Sequence, residues 1–272
     1  LGLHQANSRN LLDVKQCPVA VPAIENALPG LRDFAALALT PGEQADCHVT
    51  ATDHGLDIVL TRKRPPSLDE RLDWPGFCEA QGWPRLSWRA SHRDAAETIT
   101  AFVTPTITIA GQPVPLAPAG FIQATATGQE QLISLVLEHL HDAPRTQRCL
   151  DLFSGMGTFT LPLLADDPNR TVKAIDTASD SLDNLRLGGV DYGSRLTIEA
   201  RDLFRHPLSG PDLADIDCAI FDPPRAGAEA QVKELADSSL AYLIAVSCNP
   251  NSFARDARIL IDHGFTMSPV QP

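Results

Sequence analysis

Along the first 118 residues the apolar positions alternate in short, β-like runs. Cys47 to Ala51 and Leu56 to Thr61 flank Asp53-His54-Gly55, which predicts a hairpin. Thr98 to Ile109 is rich in β-branched residues and ends at the turn Ala110-Gly111-Gln112, while Pro105 inside it predicts an edge strand or a break. Ser67 to Gly82 predicts a short helix interrupted at Pro75, and Pro113 to Gly120, with three prolines, reads as a linker. From Gln129 onward the period changes. Helical spacing over 129–141 is followed by strand-like runs at 149–153, 171–176, 196–200, 218–222 and 243–248. Helical segments begin near Thr158 and cover 179–187, 228–237 and 252–263. Strands that alternate with helices imply a mostly parallel sheet covered on both faces. The pattern thus predicts an α+β domain with antiparallel strands over 1–118 and a doubly wound α/β domain over 119–272.

In a sheet of that kind ligands bind beyond the carboxyl ends of the strands. Those ends carry Asp151-Leu152-Phe153-Ser154-Gly155-Met156-Gly157-Thr158, then Asp176, Asp202, Asp222-Pro223-Pro224-Arg225-Ala226-Gly227, and Ser247-Cys248-Asn249-Pro250. Gly155 and Gly157 let the backbone turn tightly and approach a ligand closely. Thr160 stands where a dinucleotide fingerprint has its third glycine, whereas Asp176 is well placed to hold ribose hydroxyls. The pattern points to an adenosine-containing ligand, either a dinucleotide or S-adenosylmethionine. Two prolines stiffen the loop that bears Asp222 and Arg225. Asn249 fits an N-cap and Pro250 the first helical position, so Cys248 lies at the end of the fifth strand, beside a helix N-terminus. Such a position favours anions, and a thiolate is the nucleophilic form of cysteine.

Composition narrows the choice. The 272 residues are 43% hydrophobic and 21% charged, an ordinary globular balance, and no apolar run is long enough to span a bilayer. The net charge of −12 gives no support for nucleic-acid binding. The six cysteines, Cys17, Cys47, Cys78, Cys149, Cys218 and Cys248, form no regular framework, which suits reduced thiols in the cytoplasm; Cys149 and Cys218 read as small core residues. The eight histidines show no partner pattern. The ends, Leu1-Gly2-Leu3 and Val270-Gln271-Pro272, suggest a piece of a longer protein.

Four strings stand in order: Phe121-Ile122-Gln123, Asp151 through Pro162, Asp222 through Gly227, and Ser247 through Asp256 with its Ala-Arg-Asp ending. Together they resemble the RNA uracil-C5 methyltransferases, which make 5-methyluridine with S-adenosylmethionine. The resemblance is strong over 119–272. Over 1–118 it rests on Asp13-Val14-Lys15-Gln16-Cys17-Pro18-Val19, which resembles the region of the fourth iron–sulfur ligand in the 23S ribosomal-RNA branch. It implies a Rossmann-like methyltransferase sheet. It also implies a donor pocket lined by Gln123, Phe153, Asp176, Asp202 and Asp222, with Gly155 and Gly157 in the turn and Thr158 as a further contact. The family often has Asn at Thr158 and Glu at Asp176. Cys248 is then the nucleophile that adds to uracil C6. The base that removes the C5 proton is expected beyond Pro272.

By the same resemblance Asp222 and Gln123 read the edge of a flipped uracil, and Arg225 meets the RNA backbone. Cys17 would be one of four thiolates of a [4Fe–4S] cluster whose other ligands lie outside this chain. The implied protein is a monomer that acts on ribosomal RNA and has no membrane partner. Three other readings stay open: a transfer-RNA uracil-C5 methyltransferase, a nicotinamide-dependent oxidoreductase, and a non-catalytic RNA-binding module.

Overall fold

The computed structural model describes residues 1–5, 8, 10–143 and 145–272. The chain divides into two compact units, one made of 1–107 with 115–121 and the other of 108–114 with 122–272.

The first unit opens with an antiparallel ribbon of β1 (Gly2–His4) and β2 (Leu11–Asp13), followed by α1 (Pro22–Asn26) and α2 (Leu28–Ala38). Then come β3 (Asp46–Thr52), β4 (Gly55–Thr61), α3 (Leu68–Gln81), β5 (Arg85–Arg89) and β6 (Glu97–Ala101). The sheet order is β3-β4-β5-β6. The hairpin at 53–54 makes β3 and β4 antiparallel, as the turn signal predicts. The crossover through α3 makes β4 and β5 parallel, so the sheet is mixed. Leu56, Ile58 and Leu60 face Phe34, Trp74, Trp83 and Leu86 in one core.

Helix α3 corrects one expectation, because it runs unbroken through Pro75. An internal proline costs about 3 kcal/mol. The helix is held on both sides of that point. Ser67 and Glu70 form a reciprocal capping box, and Gly82 ends the helix at φ 68°. Trp74 and Cys78 are fully buried, and Trp74 packs edge-on against Phe34 at 5.4 Å. Tertiary packing outweighs the local penalty. Two boundaries between the units fall at 114/115 and 121/122, within and just after the proline-rich stretch. Thr106–Ile109 and Gln112–Pro115 form the ribbon β7–β8, and Val114 and Leu116 are buried, so this stretch is packed chain rather than free linker. The break at Pro105 is as expected: β6 stops at Ala101 and β7 starts at Thr106.

The second unit contains α4 (Ala126–His141), β9 (Arg148–Leu152), α5 (Thr160–Asp166), β10 (Thr171–Asp176), α6 (Ser179–Gly188) and β11 (Leu196–Ala200). It continues with β12 (Cys218–Phe221), α7 (Glu229–Ala236), β13 (Tyr242–Ala245) and α8 (Pro250–Asp262). All five strands are parallel, in the order β11-β10-β9-β12-β13. Alternate residues feed two cores. Leu150, Leu152, Ala219 and Phe221 pack with Val232, Leu235 and Leu260 from α7 and α8. Cys149, Cys218, Ile220 and Val172 pack with Val136, Leu140, Leu163 and Leu164 from α4 and α5. The chain winds outward from β9 in one direction and from β12 in the other, which opens a crevice at the carboxyl edge between those two strands. No helix among the described residues is long and apolar enough to cross a membrane.

On the face of β4 away from the aromatic core, Asp57 pairs bidentately with Arg85, at 2.8 Å (Nε to Oδ1) and 2.7 Å (Nη2 to Oδ2), and both side chains are buried. Asp57→Ala strands a buried guanidinium and is expected to cost about 3–5 kcal/mol in urea unfolding. Replacing both partners, Asp57→Leu with Arg85→Met, is expected to recover most of that loss. A single variant within 1 kcal/mol of the parent (about the worth of an exposed pair) overturns this account.

Candidate functional site

The site is assembled from the loops at the carboxyl ends of the parallel strands. After Leu152 the backbone turns sharply: Phe153 stands at φ 62°, Gly155 at 54° and Gly157 at 96°. A side chain at Gly157 would be strained by the φ of 96° and would displace Leu185 of α6, whose Cδ1 lies 2.4 Å from where a Cβ would stand. The loop is tied to the neighbouring strand twice. Ser154 N donates to the Ile175 carbonyl at 3.1 Å, and Gly155 N donates to Asp176 Oδ2 at 2.9 Å. Asp176 Oδ1 accepts from Ala178 N at 2.9 Å. A carboxylate has about four acceptor sites, so Asp176 retains capacity for ligand hydroxyls. Thr158 is half-buried in the turn. The Phe153 ring packs on Phe204 with centroids 5.5 Å apart. Asp202 Oδ1 caps the turn after β11 by accepting from Phe204 N at 3.0 Å and Arg205 N at 3.3 Å.

On the other side of the crevice Asp222 N donates to the Leu152 carbonyl at 3.3 Å. Burial raises the Asp222 carboxyl above its usual range, and a hydrogen bond from the Gln123 side chain opposes that rise. Gln123 and Asp222, 99 positions apart in sequence, therefore meet at one point of the site. Strand β13 ends at Ala245, so Cys248 stands in a loop three residues past the strand and not at its end. Its side chain is exposed, the only exposed cysteine of the six. Asn249 does cap α8, accepting from Asn251 N at 3.1 Å, with Pro250 at the first turn. The same Asn249 donates from Nδ2 to the Arg225 carbonyl at 2.8 Å, joining the cysteine loop to the proline loop. Arg225 itself is exposed.

A family model described as tRNA (uracil-5-)-methyltransferase matches residues 97–264. The chain belongs to this family. An RNA methyltransferase of Zymomonas mobilis, described as uncharacterised, is 34% identical over the whole chain and 66% of its own length. The 23S rRNA (uracil(1939)-C(5))-methyltransferase RlmD of Halomonas elongata is 29% identical over 98% of this chain and 57% of that protein. The chain thus spans less than two thirds of the length of these curated relatives. In fold it is similar to the Pyrococcus abyssi tRNA (uracil-54, C5)-methyltransferase solved in complex with S-adenosyl-L-homocysteine. That likeness has TM-score 0.68 and covers 92% of this chain and 64% of that one, at 20% identity. The Rossmann-like sheet of a methyltransferase is therefore the architecture of the second unit.

Sequence reasoning missed the floor of the site. Asp151 is fully buried, accepts from Thr160 Oγ1 at 2.5 Å through Oδ2, and leaves Oδ1 without a partner among the described residues. Ser154 Oγ is likewise buried and unpaired among them. Unsatisfied acceptors and donors under a glycine turn fit a polar ligand such as the amino-acid end of S-adenosylmethionine better than an apolar one. The available signal was an acid set between apolar residues of a central strand. Cys17 is half-buried, and the described residues hold no group of three or more His, Cys, Asp or Glu side chains arranged for a metal. This chain's own residues do not complete a four-thiolate cluster.

Burial, reinforced by the charges of Asp222 and Asp176 and opposed by the Thr160 bond, pushes the Asp151 carboxyl up to about 7 from 3.8. The folded state then holds a proton that the unfolded state releases. Its stabilisation is complete below 3.8 and is lost as pH rises through about 7. Asp151→Asn keeps an acceptor for Thr160 and is expected to flatten the fall in urea midpoint across that window. Parallel pH profiles for the two proteins refute the assignment.

Proposed function

We propose that this chain carries the catalytic unit of an enzyme that methylates C5 of a uridine in RNA, with 23S ribosomal RNA as the substrate. The observation that carries the reading is the exposed Cys248 thiol, on a loop joined through Asn249 to the loop that bears Asp222. When bound, S-adenosylmethionine supplies an electrophilic methyl group. Around it, Gly155 and Gly157 offer close backbone approach, Asp176 accepts ribose hydroxyls, and Asp202 lies toward the adenine. Phe153 and Thr158 complete the lining. Membership in a methyltransferase family supports this donor over a dinucleotide.

Uracil C5 is a weak nucleophile. Addition of the Cys248 thiolate to C6 forms an S–C6 bond and moves the C5=C6 electron pair toward O4, giving an enolate whose C5 can take the methyl group, the sulfonium S–CH3 bond breaking to leave S-adenosylhomocysteine. Removal of the C5 proton by a base then restores the double bond and expels Cys248 as thiolate. The target base must leave its stack, at a cost of a few kcal/mol, and Asp222 and Gln123 are placed to meet its edge. Arg225 stands exposed for a phosphate contact.

Ribosomal RNA is favoured by RlmD, which aligns with nearly the whole chain. A transfer-RNA substrate is the second reading, favoured by the family description and the Pyrococcus fold. Cys17 would serve as one thiolate of a [4Fe–4S] site completed from outside this chain. We place the enzyme in the cytoplasm as a monomer, a reducing setting that suits six free thiols.

RNA carrying 5-fluorouridine cannot lose a C5 proton and is expected to trap a covalent adduct on Cys248, seen by mass spectrometry. Cys248→Ala is expected to abolish both the adduct and methylation while leaving S-adenosylhomocysteine affinity within about twofold, below the 1.4 kcal/mol of a tenfold change. An adduct on any other residue sinks the mechanism. Methylation of transfer RNA but not 23S RNA by the full-length parent enzyme selects the second reading.

A further inference from the structure

The two prolines of the Asp222 loop explain its start but not its end. From Arg225 to Ala228 the backbone is gripped by the first turns of α8. The Arg225 carbonyl accepts from Asn249 Nδ2 at 2.8 Å and the Ala226 carbonyl from Arg255 Nη2 at 3.0 Å. Ala228 N donates to Asp256 Oδ2 at 2.7 Å. Gly227, at φ 79°, is seated so closely that a Cβ would lie 2.5 Å from Arg255 Nη2, 2.6 Å from Asp256 Oδ2 and 2.8 Å from Ser252 Cβ. Asp256 is only 3% exposed, and its other oxygen takes Nε and Nη2 of Arg255 at 2.9 and 2.7 Å. Ser252, Arg255 and Asp256 fall at i, i+3 and i+4, on one face of the helix.

Resting on the function proposed above, we infer that Asp256 and Asn249 are positioning residues for the covalent step. They form a clamp that sets the Cys248 thiol relative to Asp222. The reasoning is geometric. Cys248 immediately precedes the clamped helix, and Asp222 begins the clamped loop, so the bonds between loop and helix fix the separation of the two reacting sides. Asp256 also satisfies the Ala228 N–H at the start of α7, a donor that would otherwise be orphaned. Asp222 is the one donor-pocket residue on the clamped loop. The glycine turn, Asp176 and Asp202 make none of the clamp's bonds, so donor affinity rests mainly on groups outside it.

Two variants test this in the intact protein. Asp256→Asn cannot accept from Ala228 N and from Arg255 together, since one of its terminal atoms is now a donor. Asn249→Asp keeps the helix cap but loses the Nδ2 donor. Both are expected to slow adduct formation on 5-fluorouridine RNA by about 10- to 100-fold at saturating RNA, the scale of a misplacement near 1 Å. S-adenosylhomocysteine affinity is expected to stay within about twofold, under the 1.4 kcal/mol that a tenfold change represents. The Ala228 amide, protected from hydrogen exchange in the parent, is expected to exchange faster in Asp256→Asn. If Asp256→Asn fails to fold, Asn249→Asp carries the test. Folded variants that form the adduct at the parent rate overturn the clamp, as does donor affinity that falls in step with the rate. A parent that forms no adduct, with the Ala228 amide protected, overturns the proposed function instead.

Discussion

The second unit depends on a central strand with no free face. Leu150 and Leu152 of β9 point into one core and Cys149 into the other, while β10 and β12 occupy both of its edges. The backbone of β9 is thus committed on both sides, and the chain can do something unusual only where the strand stops. There positive φ is imposed at three alternate positions, 153, 155 and 157. Such strain persists only when the surroundings over-determine it. Here the Ile175 carbonyl and the Asp176 carboxylate supply the restraint from the next strand.

Two buried carboxylates, one in each unit, are treated differently. In the first, the buried Asp57 and Arg85 satisfy each other and belong to the architecture. In the second, Asp151 is satisfied on one oxygen only, and its charge is disfavoured by burial and by two neighbouring carboxylates. An unsatisfied atom costs stability at its own position. Two of the three such atoms among the described residues, Asp151 Oδ1 and Ser154 Oγ, lie at the glycine turn; the third, Trp74 Nε1, lies in the aromatic core of the first unit.

Much of this was legible in the sequence where local and global preferences agree. The strands 171–176 and 196–200 fall where the apolar pattern puts them: Val172, Ala174 and Ile175 are buried in the inner strand β10, and Leu196 and Ile198 alternate with Thr197 and Glu199 in β11. The motif residues 153–158, 176, 202, 222 and 248 do come to one edge of one sheet, since each lies beyond a strand of the same direction. The pattern fails where tertiary contacts override it. Helix α2 has Pro29 and Gly30 in its first turn, where proline is tolerated, and it is held by Leu31 and Phe34 in the aromatic core. Strand β5 hides because its buried residues include Arg85 and Ser87, polar side chains on the face opposite Leu86. Asp256 escaped as a role because, at helical spacing beside Arg255, it looks like any charged residue on a solvated face.

Asn249 serves two loops at once: its Oδ1 accepts from Asn251 N and its Nδ2 donates to the Arg225 carbonyl. A single amide thus ties the start of a helix to the course of a neighbouring loop. Neither can shift without loading the other, so the pair moves, stiffens or loosens as one hinge-free block.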